Sequence, residues 1–355
     1  MINKKWLQEL DLQTDFERCL SSNEIRRLVE AGIISGTDRE TLNQRIQPAT
    51  FEPTLGDDVF ILDIEHINHF RPSEKEDVYK SLLQIPSRRR IKQNISEGFE
   101  MKVGYTYLFP LEEKFSHISE DLVVRASPKS SIGRLFNDNR LLFDYSSSLN
   151  ELRLEQPFED IRMWLMVQPK AFNTIVGPGL VLNQIRFKTG SGAQLTADEL
   201  EKEQEKHGIV SLLGEAGEET EKDGNLIPVD KPIISHEGVR LRLDLEGKVT
   251  YGVVGLKSKR NPLPIDIRSN SNKKYPVHDY FEPKKVDSTL GGRIGISIYP
   301  EEPFLLTSHE FVSVPPHFVT KPIPQQPLHQ PPLQQQLLHQ PPIQQQSLHQ
   351  PPLQK

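Results

Sequence analysis

Cysteine is almost absent from this chain of 355 residues, because Cys19 stands alone. A single cysteine excludes a disulfide framework and a cysteine-rich zinc site, and it favours a reducing compartment. No uninterrupted apolar run approaches the length of a membrane span, and the N-terminal residues 1–16 carry charges throughout. The sequence therefore predicts a cytoplasmic protein without zinc and without a membrane partner.

Hydrophobic residues are also scarce, at 35% of the chain, and the formal net charge is -6. The length predicts about two domains, while the low apolar content indicates that part of the chain does not fold. An acidic balance argues against nucleic acid as the main partner, because such proteins are usually strongly basic. Nucleotides remain open as ligands, since one pocket can be basic on an acidic protein.

Changes in composition divide the chain into four segments. Residues 322–355 form a Gln/Pro repeat, which predicts a disordered C-terminal tail. Residues 191–230 are strongly charged and predict a helix followed by a linker. This leaves a first domain over residues 1–190 and a second over residues 231–321.

The first domain begins with the pattern of a capped helix. Ser21 and Glu24 have capping-box spacing, and apolar residues then recur near the helical period as far as Ile33. Short segments such as DVFILDI, YTYLFPL and LVLNQIRF follow, separated by Pro, Gly and Asn, and similar segments resume after residue 237. The pattern predicts a mainly β barrel or sandwich, with a second β-rich domain.

The segment PKSSIGRL carries the clearest chemical signal. It places Lys129, Ser130, Ser131 and Arg134 within six residues after a predicted strand. Guanidinium, ammonium and hydroxyl groups at this spacing suit an oxyanion, although the glycine spacing is not that of a P-loop. The alternative from composition alone is an ordinary solvated basic turn.

PKSSIGRL resembles the Ser-Ser-x-x-Arg segment of the dCTP deaminases, which belong to the dUTPase-like superfamily. Upstream, QPATFEPTLGDDVFIL is similar to the opening strand of that family, and QPKAFNTIVGPGLVLNQIRF is similar to the strands that complete its first barrel. Length and a faint internal duplication resemble the bacterial tandem form. The resemblance implies a distorted dUTPase-like β-barrel with an N-terminal helix, an incomplete second β domain and the disordered tail.

The resemblance also implies a reaction and a set of site residues. In the family a glutamate activates water for attack on cytosine, and magnesium accompanies only the triphosphate. Ser130 and Arg134 take the Ser and Arg roles, Lys129 and Ser131 contact the nucleotide, and Gln184 matches a polar position near it. No zinc or other protein-held metal is implied, and a homo-oligomer of trimer type is common in the superfamily.

Two departures from the family pattern stand out. Met166 lies where the family has its glutamate, and methionine cannot move a proton. Glu155 is the substitute general base if the alignment shifts. In the opening strand, Pro53 and Thr54 follow Glu52 where the family usually has Leu and Arg. The sequence therefore supports dCTP deamination and, as the alternative, a non-catalytic nucleotide-binding or oligomerising relative that has lost the glutamate.

Overall fold

The computed structural model describes most of the chain up to residue 315. The described ranges are 18–63, 73–118, 121–154, 158–189, 195–213, 226–235, 238–250, 252–268, 271–290, 293–299 and 302–315. Glu155 and the Gln/Pro tail lie outside these residues. The chain divides into two compact units, and their described residues come from Met1–Gln194 with Arg260–Lys274, and from Leu195–Lys259 with Tyr275–Pro316.

Helices are short in the described part of the chain, and none of them is long and apolar enough to cross a membrane. Among the described residues there is also one short 3-10 helix, Ser87–Arg89. The α-helices are α1 (Ser22–Glu30), α2 (Arg39–Gln44), α3 (Val78–Leu83), α4 (Ser130–Gly133), α5 (Ala197–His207) and α6 (Val277–Tyr280).

Strands make up most of the remaining structure. The first twelve are β1 (Arg18–Cys19), β2 (Ile34–Ser35), β3 (Asp58–Leu62), β4 (Arg90–Asn94), β5 (Phe99–Met101), β6 (Thr106–Ile118), β7 (Leu122–Pro128), β8 (Asn137–Phe143), β9 (Glu151–Leu152), β10 (Phe158–Pro169), β11 (Thr174–Val176) and β12 (Asn183–Thr189). The others are β13 (Val210–Leu213), β14 (Leu226–Pro228), β15 (Ile233–Ser235), β16 (Gly238–Arg240), β17 (Gly255–Ser258), β18 (Ile265–Asp266), β19 (Phe281–Lys284), β20 (Asp287–Leu290), β21 (Arg293–Gly295), β22 (Phe304–Leu306) and β23 (Glu310–Val312). The mainly β prediction is confirmed.

Helix α1 begins and ends as the sequence indicates. The Ser21 hydroxyl accepts from the Glu24 N–H, and the Glu24 carboxylate accepts from the Ser21 N–H, so the predicted capping box forms. Ile25, Leu28 and Val29 are buried on one face of the helix. The pattern of apolar residues therefore anchors this helix to the first unit.

Three sheets form the first unit. One has the order β1-β12-β7-β9, the second has the order β4-β3-β6-β10-β8 with β2 also beside β6, and the third has the order β18-β11-β5. All these pairings are antiparallel except that of β11 with β18. Within the longest pairing, β6 with β10, the register shifts between Arg162 and Trp164, opposite Pro110. A proline has no N–H for the ladder, so an irregularity is expected there.

Strand β10 separates two apolar clusters in the first unit. Met163, Leu165 and Val167 point into the main core, while Trp164 and Met166 belong to a smaller cluster on the other face. Successive side chains of a strand point to opposite faces, so the uninterrupted apolar run MWLMV fits a strand covered on both sides. The smaller cluster is completed by α3 and neighbouring strands through Phe60, Leu62, Val78, Leu82, Leu108 and Leu142.

The second unit combines α5 and α6 with small sheets. Their orders are β14-β13-β23, β15-β16, β19-β17-β22 and β20-β21. Helix α5 has a capping box of Thr196 and Glu199, and it ends at Gly208, which takes the left-handed conformation with φ 59°. The charged interval therefore contains the helix that the sequence predicts.

Candidate functional site

The turn at residues 129–134 connects β7 to β8, and its short helix α4 is set by a few backbone contacts. The Lys129 N–H donates to the Leu182 carbonyl over 3.0 Å, and the N–H groups of Gly133 and Arg134 donate back to Lys129 and Ser130. Ile132 is buried and anchors the turn to the main core. This arrangement leaves Ser130 and Ser131 exposed on the outer side.

Lys129 is held by the carboxylate of Glu52, which lies in the segment before β3. Its Nζ lies 2.9 Å from Glu52 Oε1, and the two side chains are 33% and 13% exposed. The acidic residue that the sequence comparison marked at position 52 therefore lies next to the predicted oxyanion-binding residues. The ion pair fixes the position of the Lys129 ammonium, but the Glu52 carboxylate also offsets the ammonium charge. An anion that binds here therefore competes with Glu52 for Lys129.

Gln184 reaches the same end of the sheet from the neighbouring strand. It pairs with Ser127 in the register of β12 against β7, and its Nε2 donates to Ser127 Oγ over 3.2 Å. Four other residues of β12 are buried, whereas Gln184 is partly exposed. The structure therefore brings Gln184 close to the start of the 129–134 turn, and its role toward a nucleotide stays a prediction.

The predicted general base, Glu155, lies outside the described residues. The structure describes the chain up to Leu154 and again from Phe158. Glu151, four residues before Glu155, belongs to β9, which pairs with β7. The Glu151 carboxylate lies 2.9 Å from Arg125 Nη2, so this nearby glutamate has a structural partner. The role of Glu155 stays a prediction.

Met166 is fully buried in the smaller apolar cluster beneath α3. Its partner in β8 is Arg140, whose Nε lies 2.9 Å from Asp138 Oδ1. The cluster around Met166 consists of apolar side chains among the described residues. Met166 itself has no proton to exchange. A buried carboxylate at the edge of this cluster, Asp144, accepts from the Val78 N–H and from the Trp164 indole N–H.

A buried ion pair behind the opening strand was not predicted from the sequence. Glu113 in β6 is fully buried, and it accepts from the N–H of Thr54 over 2.8 Å, from the Thr54 hydroxyl over 3.0 Å and from the Arg45 guanidinium. Burial raises the pKa of the Glu113 carboxyl, while the Thr54 N–H and Arg45 favour its ionised form. The available signal was Pro53, because a proline interrupts the ladder and frees the next N–H for a side chain.

The sequence also contains a His-x-x-His pattern, His66 and His69, and the segment HDYFEP that begins at His278. His66 and His69 lie outside the described residues. His278 Nε2 lies 3.2 Å from Asp279 Oδ1, and both side chains are more than half exposed. Within the described ranges, no group of three or more His, Cys, Asp or Glu side chains is placed to hold a metal ion.

The fold and the site together define a mainly β protein with an exposed Lys-Ser-Ser turn at the end of its first barrel. The family model of the 2'-deoxycytidine 5'-triphosphate deaminase N-terminal domain matches residues 17–191, and that of the C-terminal domain matches residues 215–329. These two matches cover most of the chain. It belongs to the dCTP deaminase family.

Solved structures support the same fold. There are 26 matching chains, among them the crystal structure of 2'-deoxycytidine 5'-triphosphate deaminase from Agrobacterium tumefaciens. That protein is 24% identical with a TM-score of 0.69, and the match covers 84% of this chain and 76% of that one. The comparison with curated proteins gave no significant match. The resemblance inferred from PKSSIGRL and its flanking segments is confirmed, as is the dUTPase-like fold.

Proposed function

We propose that this chain catalyses the hydrolytic deamination of dCTP to dUTP. The observation that carries the proposal is the pair of family matches, because both the N-terminal and the C-terminal domain of a dCTP deaminase are represented. These matches do not favour the alternative of a non-catalytic relative. The partly exposed Lys129 ammonium and the exposed hydroxyls of Ser130 and Ser131 suit the triphosphate.

The reaction exchanges the amino group of cytosine for an oxygen. Water adds through its oxygen to C4 of the base while one of its protons passes to N3. The second proton then passes to the exocyclic nitrogen, the C4–N bond breaks to release ammonia, and the oxygen remains on C4 as the carbonyl of the uracil base. A general base must take the first proton from the attacking water, and it must reach that water by a hydrogen bond. Arg134 and Ser130 are proposed to orient the nucleotide and the reacting groups.

We assign the general base to Glu155. Met166 cannot fill this role, because it is fully buried and has no proton to exchange. Glu151, the nearest described carboxylate before Glu155, is occupied by Arg125. Glu155 is therefore the carboxylate that the sequence alignment offers as the general base.

Lys129, Ser131 and Gln184 are proposed to bind the nucleotide. The Glu52 contact holds the Lys129 ammonium at the start of the turn, and Ser131 is exposed beside it. Magnesium enters this proposal as part of the substrate, bound to the triphosphate. A homo-oligomer, of the trimer type common in the superfamily, is proposed because a shared site can combine residues from different subunits.

The experiment combines calorimetric titration of the full chain with dCTP and magnesium and a measurement of ammonia release in the same sample. Binding with stoichiometric release of ammonia supports the proposal. Binding without ammonia release means that the chain is a nucleotide-binding relative. If dCTP does not bind, both the proposed nucleotide site and the proposed activity are wrong.

Two pairs of variants locate the chemistry. Glu155→Gln is expected to lower kcat by roughly 100-fold or more with little change in the affinity for dCTP, whereas the control Glu151→Gln retains kcat. Arg134→Ala is expected to abolish triphosphate binding, whereas the control Arg125→Ala, which removes an exposed arginine of the preceding strand β7, is expected to leave it unchanged. Equal effects within either pair contradict the assigned roles.

A further inference from the structure

Three asparagines gather in the interior beneath the 129–134 turn. Asn137 and Asn139 lie on β8 and Asn183 begins β12, and their side chains are only 4%, 2% and 1% exposed. Asparagine is uncommon at such burial, because each amide carries two donors and an acceptor that lose contact with water. Buried amides are therefore expected to have partners.

The contacts among these residues satisfy only part of their amides. Asn139 Nδ2 donates to Asn183 Oδ1 over 3.2 Å and to the Leu182 carbonyl over 3.4 Å. Asn137 lies two residues before Asn139 and so shares its face of the strand. Within the described structure, both polar atoms of Asn137, the Oδ1 of Asn139 and the Nδ2 of Asn183 are buried without a hydrogen-bond partner.

The balance of these unpartnered atoms indicates their ligand. Two are donors and two are acceptors, and a flip of any amide exchanges the atoms without changing the amide's donor and acceptor complement. An anion needs donors and a cation needs acceptors, whereas an apolar ligand satisfies neither. Water donates and accepts equally, and a buried water typically makes about three hydrogen bonds to groups of this kind.

We propose that Asn137, Asn139 and Asn183 form a buried hydration site that holds ordered water beneath the 129–134 turn. The site is connected to the turn through Leu182, whose carbonyl accepts both from Asn139 and from the Lys129 N–H. Asn183 is also the register partner of Pro128, the last residue of β7. The bound water thus supports the backbone that positions Lys129.

A strained residue joins the turn to this site. Phe136, just before Asn137, has a φ of 57°, a left-handed conformation that bulky residues rarely adopt. Its carbonyl accepts from the Lys170 N–H over 2.9 Å. Such a conformation persists only when the surrounding structure holds it in place, and the hydration site provides fixed contacts on the β8 side.

Crystallography of the full chain without nucleotide is the first test. Ordered water within hydrogen-bond distance of the Asn137 amide and of the other unpartnered atoms is expected. Direct pairing of the three amides with one another, or an empty space between them, overturns the proposal. Because nucleotide is absent, the outcome is independent of whether the chain deaminates dCTP.

Solution measurements on Asn137→Leu test the link to the turn. Water magnetic relaxation dispersion is expected to show fewer long-lived waters than in the wild type, and hydrogen exchange of the Lys129 amide is expected to accelerate by roughly 2- to 10-fold. The control is Asn173→Leu, since Asn173 accepts from Val103 and donates to Glu100 and so needs no water. An unchanged water count and an unchanged Lys129 exchange rate in Asn137→Leu overturn the proposal.

Discussion

The buried pair of Arg45 and Glu113 allows a quantitative prediction about stability. The Glu113 side chain is fully buried and that of Arg45 is 19% exposed. Replacing Arg45 by Met keeps an unbranched apolar stem but removes the cation that faces Glu113. Loss of one partner of a buried ion pair typically costs about 3–5 kcal/mol in the free energy of unfolding. We expect Arg45→Met to fall in this range near neutral pH.

The cost should depend on pH, with a sign that follows from the direction of the pKa shift. Burial raises the folded-state pKa of Glu113 above its usual value of 4.5, and losing Arg45 raises it further. A carboxyl with a raised folded pKa lowers the stability as pH rises from the unfolded value through the folded one. The difference between wild type and Arg45→Met should therefore grow with pH, by at most about 1.4 kcal/mol per pH unit.

Urea unfolding at about pH 5 and about pH 8 measures both the size and the pH dependence. Fluorescence of Trp164, which is 3% exposed in the same unit, reports the transition. The control Arg45→Met with Glu113→Gln keeps an acceptor for the Thr54 N–H but has no charge at position 113, so its stability should lose this pH dependence. A cost for Arg45→Met below about 1 kcal/mol, or one that is equal at both pH values, refutes the reasoning.

Three further predictions concern other charged and buried groups. Burial raises the pKa of Asp144, whose carboxylate accepts from the Trp164 indole N–H, so the stability advantage of wild type over Asp144→Asn should shrink as pH rises above 3.8 in urea titrations. Met166→Glu should destabilise the chain by about 3 kcal/mol or more in the same titrations, without increasing ammonia release. Glu52→Gln should tighten calorimetric binding of inorganic triphosphate by about threefold or more at low salt, because it leaves Lys129 without its carboxylate.

Each of these predictions has a control and a contradicting result. For position 144 the wild type and the variant must unfold in one transition, and a stability difference that widens with pH contradicts the expected sign. Met166→Leu is the control for burial and should cost less than about 1.5 kcal/mol in the free energy of unfolding. A rise in ammonia release in Met166→Glu would show that a carboxylate at position 166 reaches the nucleotide, against the expectation. Weaker triphosphate binding in Glu52→Gln means that the carboxylate orients Lys129 more than it neutralises it.

Local patterns allowed much of the first unit to be predicted from sequence. The capping box of Ser21 and Glu24 involves residues three apart, so its geometry depends on little beyond the helix itself. Strands bounded by Pro, Gly and Asn were likewise predicted, because alternation and turn residues act over short distances. The PKSSIGRL residues lie in one turn for the same reason.

The contacts that the sequence did not reveal join distant residues. Arg45 and Glu113 are separated by 68 positions, and Asn139 and Asn183 by 44. Their pairing depends on which strands neighbour each other, and side-chain periodicity does not determine this. The burial of Met166 had the same origin, since an apolar run does not indicate which helix covers it.

Departures from the family pattern have to be judged in three dimensions. Thr54 stands where the resemblance implies an arginine, yet Arg45 supplies a guanidinium to the Glu113 carboxylate beside it. The buried Glu113 carboxylate therefore has a cation beside it although position 54 is a threonine, and this cation offsets part of the cost of its desolvation.

The substitution at Met166 has no such compensation in the part of its cluster that the structure describes. The side chains packed in this cluster are apolar, and the carboxylate at its edge, Asp144, is engaged by the Trp164 indole and the Val78 N–H. A carboxylate that takes over the lost function must therefore approach the nucleotide from another part of the chain or from another subunit. Glu155 is the carboxylate that the sequence alignment offers for this role, and Glu155→Gln therefore distinguishes a displaced catalytic site from a lost one.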